Sequence, residues 1–131
     1  MEIDMKKIEI SGISIDTYVN FATKKFIGQD LSDVAIHSTS DSAYEMRYDG
    51  KIVGIVKIAD IKEPFTLMQG LICKSGFGKL MIDWVKQRHT NPSILITVTG
   101  SNQKLIKYYK RQGFRKLTTE NKNILMIWEG E

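Results

Sequence analysis

The pattern of apolar and polar positions predicts strands and helices from the start of the chain. Residues 5–10 alternate and indicate a first strand, which Ser11-Gly12 interrupts. With Ser14 as N-cap, residues 15–26 place apolar side chains three and four positions apart, as one face of a helix requires. Residues 27–43 fit either a short second helix or a polar loop, so the pattern leaves this region open.

A hairpin and a buried strand follow in the middle of the chain. Residues 44–48 and 51–58 flank Asp49-Gly50, a dipeptide typical of a type I′ turn between antiparallel strands. Residues 65–73 form a continuous apolar run, as in a central strand that is buried on both faces. Gly70 lies inside this run, where a glycine indicates a bulge or the close approach of a ligand.

The remaining elements are predicted in the order helix, strand, helix, strand and strand. We expect Leu105, Tyr108 and Tyr109 to form the buried side of the second of these helices, and Gly113 to end it in the left-handed conformation. The whole pattern predicts a mixed α and β fold in which antiparallel strands lead into one parallel crossover. The predicted elements span residues 79–89, 93–99, 103–112, 114–119 and 124–128.

Length, composition and charge restrict the class of protein. A chain of 131 residues with 42% hydrophobic and 26% charged residues predicts one domain over residues 1–131. Its only cysteine, Cys73, excludes an intramolecular disulfide, and no metal site is predicted from it or from the lone His37. Because the sequence lacks a signal peptide and any apolar stretch of ~18 residues, we expect a cytoplasmic protein with no membrane partner.

The net charge of +4 suits an anionic ligand. It falls short of the concentrated basic surface of a typical nucleic-acid binder, so that class of partner is disfavoured.

Gly76 and Gly78 come between a strand and a helix, where bare backbone N–H groups bind phosphate well. A dinucleotide fold would need a third glycine, and a P-loop would need Ser or Thr after Lys79, so the sequence fits neither.

At these residues the chain resembles the GNAT superfamily of N-acetyltransferases, and the resemblance covers nearly its whole length. The family's pyrophosphate loop reads Arg or Gln, two residues, Gly, one residue, then Gly or Ala. The segment Cys73 to Gly78 keeps both glycines and departs from the pattern at its first position. A second motif of the family is similar to the spacing of Asn102, Tyr109 and Gly113-Phe114, with Leu105 where a small Ala is common.

The resemblance implies both a fold and a chemistry. The fold is a mostly antiparallel sheet of about seven strands with three to four helices, in which the strand at 65–73 diverges from the strand at 93–99 and admits the pantetheine arm. Acetyl-CoA is the implied cosubstrate, and Tyr109 is the implied acid that protonates its departing thiolate. The cofactor-binding residues expected on this basis are Met68, Gln69, Lys74, Ser75, Gly76, Phe77, Gly78, Lys79, Asn102, Lys104 and Tyr109, with Lys107 as the alternative to Lys104.

Within this set, a backbone N–H near Met68 or Gln69 would stabilise the oxyanion. A general base must also deprotonate the acceptor, and carboxylates near the start of the 65–73 strand are the candidates. Glu63 is the first choice and Asp60 or Glu45 the next, although an ordinary surface role or a chain of water molecules competes with each.

The sequence therefore predicts an N-acyltransferase that moves an acetyl group from acetyl-CoA to a primary amine by direct attack. The acceptor is a small molecule or a protein, and the family resemblance makes a homodimer plausible. Two alternatives remain open. One is a degenerate module that binds coenzyme A or a partner without turnover, motivated by Cys73, and the other is an enzyme that modifies nucleic acid, motivated by the net positive charge.

Overall fold

The computed structural model describes residues 2–25, 41–62, 65–88 and 93–130. Within these ranges, one 3-10 turn at Met5–Lys7, seven strands and three α-helices form a single layer of sheet with helices on both faces. The strands β1 to β7 span Ile8–Ile13, Asp41–Tyr48, Lys51–Lys62, Phe65–Cys73, Ser93–Thr99, Arg115–Glu120 and Asn123–Glu129, and the helices α1 to α3 span Ile15–Lys25, Gly78–Arg88 and Gln103–Arg111.

The strand order across the sheet is β1-β2-β3-β4-β5-β7-β6. Only β4 and β5 are parallel, and every other neighbouring pair is antiparallel. This arrangement confirms the predicted mixed fold with its single parallel crossover. The second helix that the sequence allowed within residues 27–43 falls almost entirely outside the described residues.

Local sequence signals explain where several elements begin and end. Asp49 and Gly50 have φ angles of 52° and 81°, as the predicted type I′ turn requires of both central residues. The Ser14 hydroxyl accepts a hydrogen bond from the Thr17 N–H at 3.1 Å, which confirms Ser14 as the N-cap of α1. At the end of α3, Gly113 has a φ of 95°, which confirms the left-handed stop.

Three of the sequence predictions are wrong in detail. Ser11-Gly12 does not interrupt β1, because Gly12 and Ile13 continue the ladder opposite Tyr44 and Ala43 of β2. The strand begins at Ile8 rather than residue 5, since Met5–Lys7 is a 3-10 turn capped by Asp4.

In α3, the residues that face the core are Ile106 and Tyr109. Leu105 lies on the open side of the helix and is 36% exposed, so its predicted place in the core is wrong. Tyr108 is half-buried, so its exposure is between that of Leu105 and that of the two core residues. The core residue is thus one position later in the chain than predicted, which rotates the apolar face by about 100° around the helix axis.

Two hydrophobic cores lie on opposite faces of the sheet. The larger core packs α2 and α3 against one face and includes Met68, Phe77 and Met81. The smaller core packs α1 against the other face, around Tyr18 and the strand residues that touch it, namely Ala43, Ile55 and Ile72. No helix in the described ranges is long and apolar enough to cross a membrane.

We expect Gly113→Ala to destabilise the protein by about 1–2 kcal/mol, because an alanine resists the left-handed conformation. Its Cβ would also lie 3.2 Å from Cδ1 of Trp128. Chemical denaturation measures the difference. Gly12→Ala is the control, since its Cβ meets no atom closer than 3.9 Å and its φ is not positive. Equal losses in the two variants would contradict the prediction.

Candidate functional site

The parallel strands β4 and β5 separate after a short region of pairing. Only three residues of β4, Phe65 to Leu67, pair with β5, where their partners are Ser93 to Leu95. Both strands are described in full, and β4 runs on to Cys73 while β5 runs on to Thr99 without further pairing between them. The divergence leaves a gap between the carboxyl ends of the two strands. In a strand, alternate N–H groups point to opposite sides, so every second backbone group of β4 beyond Leu67 faces this gap.

A bulge in β4 lies at the edge of the gap. Lys57 of β3 pairs with Gln69, and Ile55 pairs with Ile72, so two residues of β4 lie between these pairs where β3 has one. The extra residue reverses the alternation of side chains beyond it. Met68 therefore belongs to the larger core while Ile72 belongs to the smaller core on the other face. Gly70 has a φ of 55°, which confirms the bulge that its position predicted.

The same reversal turns Leu71 and Cys73 towards the α2 and α3 side of the sheet. Both side chains are half-buried and pack against the larger core. Cys73 also lies so close to β3 that a Cβ at Gly54 would be 2.7 Å from its sulfur. A regular strand would instead have placed Ile72 on this side of the sheet.

The glycine-rich turn connects β4 to α2. The Lys74 N–H donates to the Val53 carbonyl at 2.8 Å, and the Phe77 N–H donates to the Lys74 carbonyl at 3.1 Å. Gly76 has a φ of 92°, which an L side chain would resist. The first N–H groups of α2 have no acceptor within the helix, so they are available to an anion at the helix N-terminus.

A cavity of about 480 Å³ extends from this turn to α3. One wall comes from the end of β4 and the turn, and the other comes from α3 and its N-cap. It is thus bounded by the two segments that follow the diverging strands. The described lining residues are Leu71, Cys73, Lys74, Ser75, Gly76, Gly78, Asn102, Lys104, Leu105, Tyr108, Tyr109 and Arg111.

The cavity brings together seven of the eleven predicted cofactor-binding residues, from both motifs. These are Lys74, Ser75, Gly76, Gly78, Asn102, Lys104 and Tyr109. Met68 lies before the bulge with its side chain in the larger core, and Gln69 is described only as a backbone position of β4. Phe77 is buried in the core, and the Lys79 amine pairs with the Asp83 carboxylate at 2.7 Å on the outside of α2.

Asn102 has a structural role in addition to lining the cavity. Its side-chain oxygen accepts a hydrogen bond from the Leu105 N–H at 3.1 Å, which caps α3. Its backbone N–H donates to the Thr99 carbonyl at 2.9 Å, so Asn102 is bonded both to the end of β5 and to the first turn of α3.

Of the three predicted general bases, only Glu45 has a described side chain, and it does not line the cavity. Glu63 lies outside the described residues, as do the side-chain surroundings of Asp60. Glu45 is buried in β2, which β3 separates from β4, and it pairs with Arg47 at 3.2 Å. The assignment of the base remains a prediction.

Two adjacent tyrosines and a cysteine form the inner part of the cavity. The Tyr109 ring lies 5.5 Å from the rings of both Tyr108 and Phe114. Burial raises the pKa of Tyr109 far above its usual range, and the neighbouring Tyr108 and Cys73 add to the increase. Burial also raises the pKa of the Tyr108 phenol, and it raises the pKa of Cys73 to about 12 although a backbone hydrogen bond with Ile55 opposes it. All three groups therefore keep their protons at neutral pH.

Sequence reasoning missed five of the lining residues, namely Leu71, Cys73, Leu105, Tyr108 and Arg111. The last three share one face of α3 with Lys104, at spacings of three and four residues. That periodicity was a usable signal once Asn102 and Tyr109 had been assigned to a ligand. Cys73 holds the first position of the loop motif, but its orientation depends on the bulge, and Leu71 had no such signal.

The Tyr108 hydroxyl occupies the space beside Gly78, where a Cβ would lie 2.6 Å from its oxygen. We expect Gly78→Ala to destabilise the protein by about 1–3 kcal/mol because the tyrosine must move. In a Tyr108→Phe background the nearest atom is Cζ at 3.5 Å, so the same substitution should be nearly neutral. Urea denaturation of the native protein, the two single variants and the double variant measures the free energies of unfolding. An equal loss from Gly78→Ala in both backgrounds would refute the prediction.

The raised pKa of Cys73 predicts slow alkylation. With a pKa of about 12, the thiolate population at pH 8 is lower than that of an ordinary cysteine by on the order of a thousandfold. We expect the folded protein to react with iodoacetamide correspondingly more slowly than the urea-unfolded protein. Mass spectrometry follows the reaction, and similar rates in the two states would contradict the prediction.

Comparisons with known proteins agree on the fold. No family model and no curated protein matches the chain in sequence. An IAA acetyltransferase from Bacillus cereus superposes with a TM-score of 0.75 at 12% identity, over 93% of this chain and 99% of that one. The N-acetyltransferase PseH from Campylobacter jejuni has a TM-score of 0.69 at 16% identity, over 95% and 99% of the two chains.

A third structure, a GNAT family acetyltransferase from Elizabethkingia anophelis, has acetyl-CoA bound. It matches with a TM-score of 0.70 at 17% identity, over 94% of this chain and 98% of that one. At these identities the likeness concerns the fold, and it extends over nearly the whole length of each chain. The chain therefore has the GNAT fold that its two motifs predicted.

Proposed function

We propose that the protein is an N-acetyltransferase that uses acetyl-CoA and acts by direct attack of a primary amine on the thioester. The observation that carries the proposal is the cavity at the diverging ends of β4 and β5, which joins the glycine-rich turn to the helix that carries Tyr109. We also propose that the 131 residues act as one domain, in the cytoplasm. The acceptor is an amine of a small molecule or a protein, and a homodimer remains a prediction.

The charged end of the cavity suits the phosphates of the cosubstrate. Backbone N–H groups of the turn and of the start of α2 would donate to the pyrophosphate. Lys74, Lys104 and Arg111 are exposed at the lining and bring three positive charges to it. The unpaired edge of β4 beyond Leu67 offers hydrogen bonds to the amide groups of the pantetheine arm.

The Tyr109 phenol suits the role of general acid. It is only 7% exposed, and its raised pKa keeps it protonated over the whole range in which proteins function. A phenol held in this state donates a proton to a thiolate as negative charge develops on the sulfur. The proton that the amine nitrogen loses as the amide forms balances the one given to sulfur, so coenzyme A leaves as a thiol and the phenolate is protonated again.

The reaction also needs a hydrogen-bond donor to the oxyanion and a base for the acceptor amine. One N–H near Met68 or Gln69 is the proposed donor to the oxyanion, since alternate groups of β4 face the gap there. Acetyl-CoA supplies the activated acyl group. Glu63 remains our first candidate for the base that deprotonates the acceptor, followed by Asp60 and Glu45.

Calorimetry with acetyl-CoA and a thiol-release assay with a panel of amines test the proposal together. We expect Tyr109→Phe to lower kcat by about 100-fold or more while the dissociation constant of coenzyme A changes only a few-fold, because the hydroxyl acts in proton transfer. Tyr44→Phe is the matched control, since Tyr44 packs on Trp84 outside the cavity lining.

Each result separates this proposal from its alternatives. Equal rates for the native protein and Tyr109→Phe would remove Tyr109 from the acid role. Tight binding of coenzyme A without turnover of any amine would favour a degenerate binding module. No binding at millimolar acetyl-CoA would contradict the proposed function, and salt-dependent retention on DNA would then favour a nucleic-acid substrate.

A further inference from the structure

The hydroxyl of Tyr18 joins α1 to the bulge of β4. Tyr18 is fully buried, and its phenolic oxygen donates a hydrogen bond to the Gly70 carbonyl at 2.7 Å. The two residues also fit each other sterically, because a Cβ at Gly70 would lie 1.7 Å from the Tyr18 oxygen. A glycine at this position is therefore needed both for its φ of 55° and for the space that the hydroxyl occupies.

The hydrogen bond satisfies a backbone group that the bulge has taken out of the regular ladder. The extra residue of a bulge is left unpaired by the neighbouring strand, and a buried carbonyl without a donor is costly. Phenylalanine would fill nearly the same volume in the smaller core but would leave the Gly70 carbonyl without this donor. Burial raises the pKa of Tyr18 to about 12, so the phenol remains a donor at neutral pH.

The position of the bulge decides which residues face the cavity. Before it, Met68 points into the larger core, and after it Ile72 points into the smaller core beside Tyr18. Leu71 and Cys73 consequently face the cavity that they line. A bulge that moved by one residue would exchange these faces and change the shape of the cavity wall.

We propose that Tyr18 is a positioning residue of the acetyl-transfer site, which through its hydrogen bond to Gly70 holds the bulge that directs Leu71 and Cys73 towards the cosubstrate. The inference rests on the proposed function, since it takes the cavity to be the acetyl-CoA site. Tyr18 itself does not line the cavity and acts from the opposite face of the sheet. The helix α1 is thereby coupled to a cavity that Tyr18 does not line.

The variant Tyr18→Phe tests the inference by removing one oxygen atom. We expect its dissociation constant for coenzyme A, measured by calorimetry, to rise about tenfold because the bulge loses its support. The KM for acetyl-CoA should rise in parallel, with a smaller change in kcat. Ile55→Val is the matched control, because Ile55 belongs to the same small core and the substitution removes a methyl group without removing the hydrogen bond.

The control separates positioning from a general loss of stability. We expect Ile55→Val to lower the melting temperature to a similar extent and to leave the affinity for coenzyme A unchanged. Native affinity in Tyr18→Phe, or an equal loss of affinity in Ile55→Val, would overturn the inference.

Amide hydrogen exchange of residues 68–73 in the cofactor-free protein gives a second readout. Exchange in this segment should be about tenfold faster in Tyr18→Phe than in Ile55→Val, with similar rates elsewhere in the sheet. Equal rates would overturn the role of Tyr18 at the bulge. If the unaltered protein binds no coenzyme A, the proposed function fails, and the exchange rates alone decide whether Tyr18 holds the bulge.

Discussion

The backbone hydrogen bonds that β4 gives up towards β5 determine how the rest of the molecule is arranged. A central strand normally pairs on both sides, but β4 keeps a continuous partner only in β3. The freed groups must meet solvent, a ligand or another part of the chain, since buried unpaired groups are strongly unfavourable. The cavity lies beside them, and on the α1 face the Tyr18 hydroxyl satisfies the Gly70 carbonyl, which the bulge removes from the ladder with β3.

Charge is distributed unevenly along the cavity that results. Its exposed end carries Lys74, Lys104 and Arg111, whereas the inner part holds Cys73 and two tyrosines whose raised pKa values keep them neutral. Such a gradient suits a ligand with an anionic head and a neutral arm. It also suits acid catalysis, since a phenol that stays protonated can donate to the departing sulfur as negative charge develops there.

Most of the fold could be predicted from the sequence because its signals are local. Asp49-Gly50, Ser14 and Gly113 each fix a turn or a helix end through local chemistry, and the structure agrees at each. The exposure of Leu105 could not be predicted from periodicity alone, because it depends on the cavity beside α3.

Non-local contacts set the limits of prediction for the site. Residues of both motifs lie around one cavity, since their spacing reflects the strand and helix ends. The facing of Leu71 and Cys73 depends on a contact between residues 52 positions apart, Tyr18 and Gly70, which no short pattern encodes. The general base could not be identified for a related reason, since the candidate carboxylates come from separate segments and chain spacing does not show which of them reach the acceptor.

The space beside Gly54 has a consequence for how this chain can change over evolution. The Cys73 sulfur fills the volume that a side chain at position 54 would need. A longer residue at position 73 would have to point outwards instead. Position 54 would then have space for a side chain. Positions 54 and 73 should therefore vary together among homologues, with glycine retained at position 54 where a small inward-facing residue ends β4 and lost where a long polar residue ends it.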